Sequence, residues 1–126
     1  MKKRIEKSKD SGSWRDSYYH KRFGLKAAKE AGAVLSLFEK ERPNDDRPRQ
    51  AIKSLRDWAE GTRKLGMKEV RKLSLDAHAA ARAAKTDAAR FAARAAGHAI
   101  ATWHVPTHAL AAFGYAGRAR IAGKKH

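Results

Sequence analysis

The sequence predicts an all-α protein, a single compact bundle of about five to six helices. Three observations carry that expectation. Apolar residues recur at spacings of three and four through most of the chain, the period of a helix with one buried face. The three prolines, with Gly61 and Gly66, fall where these periodic stretches end. The stretch Ala88–Ala116 is dense in alanine and holds no acidic residue, and no Asp or Glu follows Asp87.

A chain of 126 residues fits one domain with one core. Residues 1–13 are charged and serine-rich, with Ile5 as the only sizeable apolar group after Met1. They cannot offset the entropy of ordering and are expected to form a basic disordered tail, with a single helical domain over 14–126. Trp14, Tyr18, Tyr19 and Phe23 then bring four aromatics. They are read as the apolar side of a short helix, in preference to a base-stacking platform.

From Leu25 to Glu41 a stripe of Ala27, Ala31, Val34, Leu35 and Phe38 predicts a helix that Pro43 ends. Asn44, Asp45 and Asp46 make a turn, and Pro48 suits the first turn of a helix running to Glu60. Its stripe is Ala51, Ile52, Leu55, Trp58 and Ala59, and Gly61 is its stop signal. The loop GTRKLG leads to a helix over Met67–Lys85 with Val70, Leu73, Ala77, Ala80 and Ala84 inward. His78 lies beside that stripe and is read as a packed helix residue. Thr86 is an N-cap for a helix over Asp87–Trp103, with Asp87 as a favourable first-turn charge. Val105–Pro106 turns a corner into a last helix ending near Ala122. Alanine and glycine at this density let helix axes approach closely. Gly97 is therefore expected at a helix–helix contact, Gly114 and Gly117 are expected to permit another, and the last two helices are expected to form the bundle's centre.

Lys and Arg number 29 against 13 Asp and Glu, a net charge of +16 with neutral histidine. The excess is spread along the chain: 12 basic and 6 acidic groups in residues 1–42, 11 and 6 in 43–85, and 6 and 1 in 86–126. Such a balance favours acidic partners, and its even spread argues against a dedicated nucleic-acid tail. There is no cysteine for a disulfide or a thiolate metal site. The start MKKRIEKSKD lacks the apolar segment of a signal peptide, and no run of about 18 apolar residues exists to span a membrane. The chain is read as cytoplasmic with no membrane partner.

His98, His104 and His108 raise a metal reading, since residues four apart share a helical face. Pro106 between the last two spoils that spacing, and no carboxylate lies nearby to complete a site. The histidines are instead expected to hydrogen-bond across tight contacts and to satisfy carbonyls released at the Pro106 break. No phosphate-binding glycine loop, HExxH or GxSxG occurs, so neither an enzyme nor a cofactor is predicted.

The strings RPRQAI at Arg47–Ile52, AHAAARAA at Ala77–Ala84 and AARAAGHAIATWHVPTHALAAFGYA at Ala92–Ala116 resemble a bacterial and archaeal family of immunity proteins. This is the immunity-five-like family of polymorphic toxin systems, and the resemblance covers about residues 20–120. Its most specific part holds Gly97, His98, His104, His108 and Tyr115 in order. The resemblance implies an all-helical protein that binds and neutralises a toxin without catalysis. The +16 charge implies that this cognate toxin is acidic. The alternative is a basic helical nucleic-acid-binding domain using Trp14, Tyr18 and Tyr19 among Arg15, His20, Lys21 and Arg22.

Overall fold

The computed structural model describes residues 17–124. The tail over 1–13, Trp14 and Arg15, and the last basic residue, Lys125, lie outside the described residues. Among those described, five helices follow one another with no strand: α1 (Tyr18–Glu41), α2 (Arg47–Ala59), α3 (Met67–Ala83), α4 (Asp87–Ala101) and α5 (His108–Lys124).

α1 begins at Ser17, whose hydroxyl accepts the His20 N–H at 3.1 Å, and runs unbroken through Gly24 to Glu41. The expected stripe of Ala27, Ala31, Val34, Leu35 and Phe38 is buried, extended backwards by His20 and Gly24. Tyr18, Tyr19 and Phe23 do not join it. They are 66%, 73% and 51% exposed, which corrects their reading as a buried aromatic side. The inner positions at that end belong to His20 and Gly24 because the Trp58 ring lies against them. A Cβ on Gly24 would come within 2.9 Å of that ring.

Local signals set the remaining ends. α1 stops before Pro43, and α2 carries Pro48 in its first turn. Gly61 holds φ +85°, a conformation open to glycine, and terminates the exit from α2. The Thr86 hydroxyl accepts the Ala89 N–H and caps α4. The turn before α4 is tied to the end of α1, where the Glu41 carboxylate accepts the backbone N–H groups of Lys85 and Thr86 and the Thr86 hydroxyl. Burial alone would raise the Glu41 pKa, but these donors together with Arg42 hold it below the ordinary value.

α4 is the centre. It packs against α1, α2, α3 and α5, and nine of its residues are buried, seven of them alanine. Alanine is what permits four neighbours, because each larger side chain would push one axis outward. The outer helices touch in the order α3–α2–α1–α5, and α3 does not meet α5. The four form a horseshoe around α4, open on one side.

α5 is therefore not central. It packs on α4 and α1 alone, and Leu110 and Ile121 are 69% and 62% exposed. Sparse charge in α5 reflects one close alanine contact, through Ala109, Ala112, Ala116 and Ala119, and not burial all round. Gly114 and Gly117 likewise face open space, with no atom within 4 Å of an added Cβ.

Candidate functional site

The open side of the horseshoe exposes one strip of α4. Its residues outside the buried class are Asp87, Arg90, Phe91, Arg94, His98 and Ala101. At 3.6 residues per turn these six fall within an arc of about 100°. α3 forms one wall with His78 and Arg82, and α5 forms the other with His108, Tyr115 and Arg118. Beyond Phe91 the floor continues into a recess lined by Lys85, Asp87, Arg118 and Ile121.

Ring contacts knit the floor to both walls. Tyr115 stacks on His98, centroids 5.3 Å apart and planes within 8°. His108 lies beside His98 with Nδ1 atoms 3.2 Å apart, so one ring donates and the other accepts. From the opposite wall His78 meets His98 edge-on at 5.0 Å. Arg94 donates from Nη1 to His78 Nδ1 at 2.7 Å, which leaves the His78 proton on Nε2. The Arg118 guanidinium sits 5.1 Å from the Tyr115 ring centre and 6.0 Å from that of Phe91.

The three histidines of the cluster are pushed toward the neutral form. Burial, then the charges of His98, Arg94, Arg82 and His108, pushes His78 down to about 4. Burial followed by His108 and Arg94 lowers His98, and burial followed by His104 lowers His108. Protonating His78 would also break the bond it accepts from Arg94.

Gly97 lies behind this cluster, buried where α4 crosses α3. A Cβ there would meet His78 Nε2 at 2.6 Å, and the Ser74 hydroxyl donates to the Gly97 carbonyl at 3.0 Å. Of the five residues singled out in the sequence, His98, His108 and Tyr115 come together and Gly97 lies directly beneath. His104 lies on the exposed corner after α4, near enough to His108 to help lower its pKa. The Thr102 carbonyl at that corner is met from the far end of the chain. His20 donates from Nε2 to the Thr102 carbonyl at 2.8 Å, buried, from 82 residues away. His78 and His20 are thus the histidines whose partnerships the sequence reading missed. His78 carried one signal, its place beside the apolar stripe of α3; His20 carried none.

The strip is positively charged. Arg82 and Arg118 are exposed and form no ion pair among the described residues. The nearby carboxylates are already engaged, Asp87 by Arg90 and Asp76 by Lys72. Among the described residues no group of three or more His, Asp or Glu is placed to hold a metal ion, and no helix is long and apolar enough to cross a membrane.

The architecture is thus that of a small helical scaffold presenting a cationic, aromatic strip. The model of the family described as Imm-5 like putative immunity protein matches residues 20–126, and the chain belongs to that family. No curated protein and no solved structure matches it.

Proposed function

We propose that this chain is an immunity-type binding protein that neutralises a cognate, acidic protein toxin by covering it, with no catalytic step. Family membership supports a toxin as partner in general. The observation that carries the finer reading is the open side of α4, where His98, His108, Tyr115, Arg82, Arg94 and Arg118 meet beside no unpaired carboxylate. A surface of one sign speeds encounter with a partner of the other and disfavours wrong partners. Half-buried rings supply rigid contact area at small entropic cost. The test is co-expression with the product of each neighbouring open reading frame in turn. Restored growth and a co-purifying acidic protein are expected. Neighbouring products that are neither toxic nor bound would remove the reading.

A second reading has one observation in its favour. Tyr18 and Tyr19 are exposed on α1 near Arg22, whose guanidinium lies 5.5 Å from the Tyr18 ring. That face suits single-stranded nucleic acid, although His20, once counted with it, is turned inward. Phosphate binding through it would fall steeply with salt. A signal flat between low and physiological salt, or no binding at low salt, disposes of it.

A further inference from the structure

We infer that the uncovered side of α4 is a slot one helix wide, filled by a single acidic helix of the partner that completes the ring α3–α2–α1–α5. The inference rests on the toxin-binding reading and adds to it the mode of docking and the chemistry of the docked segment.

Width is the first argument. The six residues of α4 that escape full burial, Asp87 exposed and the other five partly covered, occupy about 100° of its circumference, the arc that one packed helix face covers. The backbones of α3 and α5 do not approach each other, and it is side chains, His78 from one wall and His108 and Tyr115 from the other, that meet at the His98 ring. The slot offers no strand edge with which an extended peptide could pair, since the described residues contain none. From Phe91 to Ala101 the floor spans about three helical turns.

Charge is the second argument, and it selects among occupants. Residues 1–16 carry six Lys or Arg against three Asp or Glu, so the chain's own N-terminal segment is repelled by Arg82, Arg94 and Arg118. A second copy at +16 is repelled equally. A helix bearing Asp or Glu toward the slot is attracted. Arg94 spends one donor on His78 and retains others for a carboxylate. Apolar anchors of the same helix would lie on Phe91 and on Ile121, which is 62% exposed.

The experiment measures binding of the full chain to the acidic protein recovered in the co-expression test. The groove variant Arg82→Glu with Arg118→Glu changes exposed side chains alone and should raise Kd by at least about tenfold per charge reversed. A second variant, Ala101→Glu, places a carboxylate on the floor and should weaken binding likewise. Lys26→Glu with Lys29→Glu, on the outer face of α1, should leave Kd within about threefold. Circular dichroism and melting temperature verify that each variant is folded. Groove variants that bind like the parent, with the α1 variant losing affinity, overturn the slot while leaving the toxin-binding reading intact. Absence of binding by the unaltered chain overturns that reading, and the slot with it. A docked segment, located by hydrogen exchange on the partner, that forms a strand or loop in the partner's own structure also overturns the slot.

Discussion

Gly97→Ala should destabilise the protein, and the reason is one imidazole. An added methyl would lie 2.6 Å from His78 Nε2 and 2.8 Å from both Cδ2 and Cε1. The ring must retreat by roughly 0.6–0.8 Å to reach ordinary contact distance. It is poorly placed to do so. Arg94 grips its far side at 2.7 Å, His98 meets it at 5.0 Å, and the Ser74 bond to the Gly97 carbonyl fixes the spacing of α3 and α4. Overpacking of this kind costs about 1–3 kcal/mol. Alanine returns about 0.8–1.0 kcal/mol through helix propensity. The net expectation is a loss of about 1 kcal/mol, read by urea unfolding followed by circular dichroism, with a fall in Tm of roughly 4 °C. The decisive control is a cycle with His78→Ala. Without the ring, Gly97→Ala should stabilise by about 0.5–1 kcal/mol. A stabilised Gly97→Ala in the unaltered background, or a loss that persists without His78, would refute the argument.

Three further outcomes are expected. Gly114→Ala meets open space and should stabilise by about 0.5–1 kcal/mol, the opposite sign from Gly97→Ala in the same unfolding assay. Acid should weaken the fold through His78: the unfolded ring takes a proton below about pH 6.5 while the folded ring resists until about 4. Stability therefore falls as pH drops across that window and levels below it. Full conversion corresponds to about 3 kcal/mol, and solvent screening of a half-buried ring reduces this to about 1–2 kcal/mol; denaturant titrations of parent and His78→Gln at pH 7 and pH 4.5 should differ by that amount. Glu41→Gln weakens the tie between the end of α1 and the turn before α4, and should cost about 1 kcal/mol in thermal or urea unfolding.

Signals that act over a few residues were readable without coordinates. The Thr86 cap, the Gly61 stop and the prolines around Asn44 each depend on backbone geometry within one turn, and each defines a helix end. The buried stripes of α1 and α2 follow from a period that packing enforces. Rank within the bundle was not readable to the same degree. α4 and α5 have similar composition, yet one has four neighbours and the other two, because alanine content reports how close a contact is and not how many there are. The aromatic start of α1 misled for a related reason: Trp58 approaches from a helix 38 residues away and reserves the inner face for His20 and Gly24. The histidine cluster was half legible. His98, His108 and Tyr115 share a run of sequence, whereas His78 joins them only through the crossing at Gly97.

The central claim is that the side of α4 left uncovered by its neighbours is the partner face. Hydrogen exchange of this chain, free and saturated with the protein recovered by co-expression, tests it most directly. The claim predicts that slowing on binding concentrates in Phe91–Ala101 and along the walls near Arg82 and Tyr115, with the outer face of α1 unchanged. Slowing confined to Tyr18–Lys29, with the α4 strip exchanging as in the free chain, would contradict it.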